Sequence, residues 1–124
     1  MNNIKSKALE VAKESLHKTK MGCILLKKNR IITTATNSYK THPVQAKWAE
    51  KVGKKHCIHL HAEMNALIQS REEADTLVVA RVLSSGNVGI SKPCKICRAY
   101  IEQTGIKKLL YINHNNEWVE ERLY

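Results

Sequence analysis

Thr76-Leu77-Val78-Val79-Ala80 is an unbroken apolar run, as expected of a central strand covered on both faces. Downstream, Pro93 stands where a helix should start, because a first helical residue needs no N–H donor. That helix runs to about Thr104 and stops at Gly105. Lys108-Leu109-Leu110-Tyr111-Ile112 reads as a second buried strand. After the turn-rich Asn113-His114-Asn115-Asn116, the tail from Trp118 to Tyr124 reads as a short strand returning antiparallel to residues 108–112, with a helix as the alternative. Upstream, Ala62, Met64, Ala66, Leu67 and Ile68 specify a mostly buried helix from His61 to about Ser70. The stretch from Ser38 to His59 is polar and irregular, and reads as a long loop of the functional kind. Cys23-Ile24-Leu25-Leu26 and Ile31-Ile32-Thr33-Thr34 flank Lys27-Lys28-Asn29-Arg30 as an antiparallel hairpin. Ile4, Ala8, Val11, Ala12 and Leu16 recur at helical spacing, so residues 3–17 read as an amphipathic helix. This order of elements specifies an α/β protein with a mixed sheet of four to five strands.

The 124 residues, 43% of them hydrophobic, suit a single domain over 1–124 with a core that needs no disulfide. With four Tyr, two Trp and no Phe, that core should be built on Ile, Leu, Val and Ala. The N-terminus, Met1-Asn2-Asn3-Ile4-Lys5, has no apolar leader stretch, and no segment approaches the roughly 18 apolar residues of a membrane span. The expectation is a cytoplasmic chain with no membrane partner, in which closely spaced cysteines are metal ligands rather than a bridge.

The formal charge is +10. Residues 1–30 carry eight Lys/Arg against two Glu, residues 40–55 five Lys against Glu50, and residues 92–108 five basic groups against Glu102. A basic surface attracts phosphate-bearing partners. It equally describes a solvated face that serves solubility, and charge alone does not separate a nucleotide from a nucleic acid.

Two short motifs carry chemistry: His61-Ala62-Glu63 and Pro93-Cys94-Lys95-Ile96-Cys97. Cys94 and Cys97 are three apart at a predicted helix start, so both sulfurs can face one point. Helix N-terminal amides there favour the thiolates that metal binding requires. His61 supplies a third ligand, and three protein ligands leave a fourth position for water, the mark of a catalytic zinc site. Glu63, two residues on, reaches that water without ligating the metal and serves as proton carrier. H-x-E followed by P-C-x-x-C is the signature of zinc-dependent deaminases. The alternative is a structural zinc knuckle or redox pair, to which Cys57 would add a fourth ligand. His56, Cys57 and His59 read either as an accessory metal site or as packing and solvent-facing residues, and Cys23 as a small core residue.

His61-Ala62-Glu63-Met64-Asn65-Ala66, and Pro93-Cys94-Lys95-Ile96-Cys97 running into Gly105-Ile106-Lys107-Lys108-Leu109-Leu110-Tyr111, resemble the deoxycytidylate deaminase branch of the cytidine deaminase-like superfamily. The resemblance covers residues 20 to 112, with a poorly matched segment between the motifs. It implies a three-layer α/β/α fold, with zinc on His61, Cys94 and Cys97, and Glu63 as proton shuttle. It also implies substrate contacts at Asn37 and Ala62, and a homo-oligomer. Ser38 departs from the glycine that often follows the family's asparagine.

The function expected on this basis is hydrolytic deamination of a cytosine nucleotide, dCMP first, by a zinc-activated hydroxide. The alternative is a deaminase of polymeric nucleic acid, either single-stranded cytosine or tRNA adenosine. Its support is the +10 charge together with Tyr39 and Trp48 as possible stacking surfaces. A zinc-stabilised binding module without catalysis would lack the proton shuttle, and Glu63 is present.

Overall fold

The computed structural model describes residues 2–54 and 59–123. Among these the elements are α1 (Asn2–Lys13), β1 (Lys20–Lys27), β2 (Arg30–Thr36), α2 (Pro43–Lys51), α3 (Ala62–Gln69), β3 (Thr76–Val82), α4 (Lys95–Ile101), β4 (Lys108–Ile112) and β5 (Trp118–Arg122). The sheet order is β2-β1-β3-β4-β5, which puts the apolar run of β3 at its centre. β1 lies antiparallel to β2 and β3, β3 and β4 are parallel from Thr76↔Lys108 to Val78↔Leu110, and β5 returns antiparallel to β4. The mixed sheet and the tail strand are as the sequence predicts. The β1–β2 turn places Lys28 and Asn29 at φ 49° and 65°, the left-handed pair of a tight hairpin turn whose twist matches its strands.

Because strand side chains alternate between faces, the sheet buries two sets of residues. Ile24, Leu26, Val78 and Ala80 meet Ala8, Val11 and Ala12 of α1. Cys23, Leu25, Leu77, Val79 and Leu109 face the other way, against Ala62 and Ala66 of α3 and Cys97 and Ile101 of α4. α1 lies so close to β1 that a Cβ on Gly22 would stand 2.7 Å from Ala12 Cα and 2.8 Å from the Val11 carbonyl carbon. Only glycine allows that approach.

Two expectations are corrected. The stretch 38–59 is not one long loop, because it contains α2. Pro43 pre-sets the first helical turn, and His42 Nδ1 accepts the Val44 N–H at 3.1 Å as N-cap. Trp48 and Ala49 then pack on Met64 and Ile96, with Trp48 edge-to-face on Tyr100 at 5.5 Å between centroids. The polarity of the stretch reflects a helix with one buried face outside α3 and α4. The first helix ends at Lys13 rather than residue 17, and Leu16, placed on its apolar face by periodicity, is 95% exposed. The chain leaves the helix there because Ser15 is buried and directed at Asn37. Lys20 Nζ donates to the Ser15 carbonyl at 2.8 Å. Among the described residues no helix is long and apolar enough to cross a membrane.

Candidate active site

α3 and α4 both begin on the same face of the sheet, and each begins with a residue that could ligate a metal. His61 is the N-cap of α3 and Cys94 the N-cap of α4, both in extended backbone geometry. The His61 backbone N–H donates to Gln45 Oε1 at 3.2 Å. Gln45 is a wholly buried residue of α2, so the helix that reads as loop in the sequence helps fix the histidine. One turn into α4, Cys97 is buried beneath Cys94.

The three side chains converge. His61 Nδ1 lies 3.2 Å from Cys97 Sγ and 3.4 Å from Cys94 Sγ, and all three ligand atoms fall within 4.8 Å of one another. Tetrahedral zinc with ordinary Zn–N and Zn–S bonds separates such atoms by about 3.6 Å, so this donor set fits the ion. Hydrogen bonding from Cys97, and then from His61, brings the Cys94 thiol down to about 4. The same bond to Cys94, with burial, pushes Cys97 up. His61 is raised first by its hydrogen bond to Cys94, against burial. These shifts favour the thiolate at Cys94, and a divalent cation would displace the protons held on the other two ligand atoms, because metal ligands bind deprotonated.

Glu63 lies in the first turn of α3. It is 2% exposed, and its Oε1 is buried with no hydrogen-bond partner among the described residues. Burial, above all, raises its pKa. A carboxyl that is desolvated, orphaned on one oxygen and adjacent to three metal ligands has the character of a proton carrier.

These groups open into a cavity of about 450 Å³, lined among others by His17, Asn37, His61, Glu63, Arg81 and Cys94. Asn37 follows the end of β2 and is held on all sides. Its Oδ1 accepts from Ser15 Oγ at 2.6 Å and from the Met21 N–H at 3.1 Å, and its Nδ2 donates to the Thr19 carbonyl at 2.5 Å. One N–H of the amide is left for the cavity. Ala62 does not line the cavity with its side chain. Its methyl is buried between α3 and the sheet, and what it offers is a first-turn backbone N–H, which has no intrahelical acceptor.

Three contributors, Gln45, Ser15 and His17, have no motif in the sequence. Gln45 and Ser15 act through hydrogen bonds to residues 16 and 22 positions away, which periodicity does not register. At the rim, His17 stacks on Tyr39 at 3.9 Å between centroids, and His59 meets Tyr39 edge-on at 5.8 Å. Tyr39 is therefore occupied on one face, and Trp48 is in the core rather than exposed. His56 and Cys57, considered for an accessory metal site, lie outside the described residues. His59, the third member of that set, sits in the rim cluster. Cys23 is fully buried, as expected.

Residues 2–113 match the family profile described as the cytidine and deoxycytidylate deaminase zinc-binding region. The chain is 32% identical over 118 residues to the deoxycytidylate deaminase of Schizosaccharomyces pombe, covering 84% of this chain and 34% of that protein. It thus spans about a third of the length of that relative. Among solved structures, the dCMP deaminase of cyanophage S-TIM5 in complex with dCMP and dUMP superposes with a TM-score of 0.60 at 23% identity, over 87% of this chain and 76% of that one. The apo form of the same enzyme gives 0.57 at 23% identity, over 94% and 87%. The shared fold, the match across nearly the whole chain and the convergent His–Cys–Cys site all agree: this chain belongs to the cytidine and deoxycytidylate deaminase zinc-binding family.

Proposed function

We propose that this chain is a single-domain, zinc-dependent hydrolase that converts a cytosine nucleotide to its uracil counterpart with release of ammonia, dCMP being the leading substrate. The observation that carries this reading is Glu63, a buried carboxyl with Oε1 unpartnered, within two residues of His61 and at the same cavity as Cys94. His61 Nδ1, Cys94 Sγ and Cys97 Sγ would hold zinc, which supplies the Lewis acidity that makes water nucleophilic at neutral pH. Glu63 takes one proton from the attacking water and delivers it to the ring nitrogen. It then takes the remaining proton of the added oxygen and passes it to the leaving amine as the C–N bond breaks and the new C=O forms, so that water and the cytosine become uracil and ammonia. Asn37 offers its spare amide N–H to the sugar, and the Ala62 backbone N–H faces the base as a donor. Self-association, which the family resemblance implies, belongs to the same proposal, as does a reducing cytoplasmic setting that keeps the ligand thiols available.

A monomeric nucleotide is favoured over a polymer because the aromatic surface a strand would need is small. Trp48 is in the core and Tyr39 is stacked on His17. The deciding experiment is ammonia release by the zinc-loaded chain across dCMP, CMP, dCTP, cytidine, adenosine and a single-stranded oligonucleotide. Turnover of dCMP well above the others is expected. Activity on the oligonucleotide alone would replace this proposal with the polymer reading.

A further inference from the structure

The wall of the cavity carries two cations that the zinc chemistry does not use. Asn37, Met21 and Arg81 stand side by side across β2, β1 and β3. The Asn37 N–H donates to the Met21 carbonyl at 3.3 Å, and Met21 is the register partner of Arg81. By strand alternation Arg81 points to the same face as Leu77 and Val79, which is the face of α3 and α4. Its stem passes over Gly89, where a Cβ would approach Arg81 Cδ to 3.2 Å. Arg81 Nε is buried and has no hydrogen-bond partner among the described residues, and its guanidinium forms no ion pair there. A buried N–H left unpaired costs roughly 1–3 kcal/mol, so such a group calls for an explanation.

Lys92 is the second cation of this wall. Its position is set by Ser91, which is fully buried. Ser91 Oγ donates to the Val79 carbonyl at 2.7 Å and accepts the Ile112 N–H at 2.8 Å, and its own N–H reaches the Ile112 carbonyl at 2.9 Å. The segment is thereby stapled to β3 and β4 together, three residues before Cys94. Lys92 acts at a distance on Glu121, a carboxylate already engaged by Arg98 and Tyr111. Glu63 is the one carboxylate among the described cavity-lining residues, and the mechanism above employs it.

We infer that Arg81 and Lys92 form an anion subsite that takes the phosphate of a nucleoside monophosphate while its base lies over Glu63. A guanidinium without an ion-pair partner among the described residues and an ammonium lining the same cavity, together with apolar groups such as Met21 and Ile90, match a phosphate dianion rather than a neutral sugar. The subsite thus makes the phosphate a determinant of specificity. This rests on the nucleotide reading above, and the test separates the two.

Calorimetric titration of the zinc-loaded chain with dUMP and with deoxyuridine reads the subsite without turnover. Arg81→Gln and Lys92→Ala should each weaken dUMP about tenfold or more, the scale of a lost charged hydrogen bond, and leave deoxyuridine unchanged. Lys92 is exposed, so that variant keeps the fold. KM for dCMP should rise in parallel, with kcat nearly constant. Equal dUMP affinity in wild type and both variants overturns the subsite, as does an equal loss for deoxyuridine or no dUMP binding by wild type. Weakened binding of a single-stranded oligonucleotide, with dUMP untouched, would overturn it in favour of a strand contact. Intact, Arg81-dependent dUMP binding without any dCMP turnover would refute the proposed activity and leave the subsite standing.

Discussion

Ser15 Oγ and Asn37 Oδ1 lie 2.6 Å apart in a buried hydrogen bond that joins the end of α1 to the end of β2. The bond orients an amide whose other contacts are backbone groups. Ser15→Ala removes a donor and leaves part of Oδ1 unpaired, a loss of about 1 kcal/mol for a neutral hydrogen bond. We expect KM for the nucleotide to rise roughly fivefold with little change in kcat. Steady-state kinetics on the folded variant checks this. A drop in kcat alone would show that Ser15 does not act through substrate binding.

Glu63→Gln keeps the volume of the side chain and removes its proton exchange. Turnover should fall by about two to four orders of magnitude, the range for a lost general acid–base, while zinc content by elemental analysis stays that of wild type. Loss of zinc in this variant would show that the carboxylate is a ligand and not a proton carrier.

Cys94→Ser tests the donor set itself. Cys94 carries the thiolate of the trio, brought down to about 4, and serine has no comparable anion to offer at neutral pH. Zinc content should fall well below one ion per chain, and melting temperature should become insensitive to a chelator. Full occupancy would point to another ligand.

Much of this was legible in the sequence because it is local. The apolar run at 76–80, the hairpin around Lys28-Asn29 and the paired His61/Glu63 and Cys94/Cys97 spacings each report on neighbours along the chain. α2 escaped because its packed face is only Val44, Gln45, Trp48 and Ala49 set among lysines. Leu16 misled because periodicity continues past Lys13 after the backbone has turned. The roles of Ser15, Gln45 and Arg81 depend on partners brought together by strand order, which no spacing rule records.

Gly22→Ala probes the contact that sets α1 on the sheet. The added methyl would lie 2.7 Å from Ala12 Cα, and what it meets on α1 is backbone, so the helix must shift. Overpacking of this kind costs typically 1–3 kcal/mol. Chemical denaturation should show a lower midpoint with unchanged slope. Nucleotide KM should rise as well, because the displaced helix carries Ser15 with it. Wild-type stability would mean that α1 is held less closely than its contacts with β1 indicate.

The network around Arg98 makes stability depend on pH with a definite sign. Arg98 Nη2 meets Glu121 Oε2 at 2.5 Å, Arg98 Nε meets Glu102 Oε2 at 3.1 Å, and Tyr111 OH donates to Glu121 Oε1 at 3.0 Å. Arg98 above all, with help from Tyr111, holds Glu121 below the ordinary carboxylate range against the opposing effect of burial. A carboxylate whose folded pKa is depressed binds protons more readily in the unfolded chain, so it stabilises the fold above its unfolded value near 4.5. That stability drains away as the pH falls through the lowered folded value. Arg98 and Glu121 are 31% and 29% exposed, so solvent screening keeps the contribution to about 1 kcal/mol. Glu121→Gln should therefore melt earlier than wild type at pH 7, and the gap should close steadily from about pH 5 down to pH 3. Thermal melts of the two proteins across that range measure it directly. A gap that stayed constant with pH would assign the effect of Glu121 to packing and the Tyr111 hydrogen bond rather than to its charge.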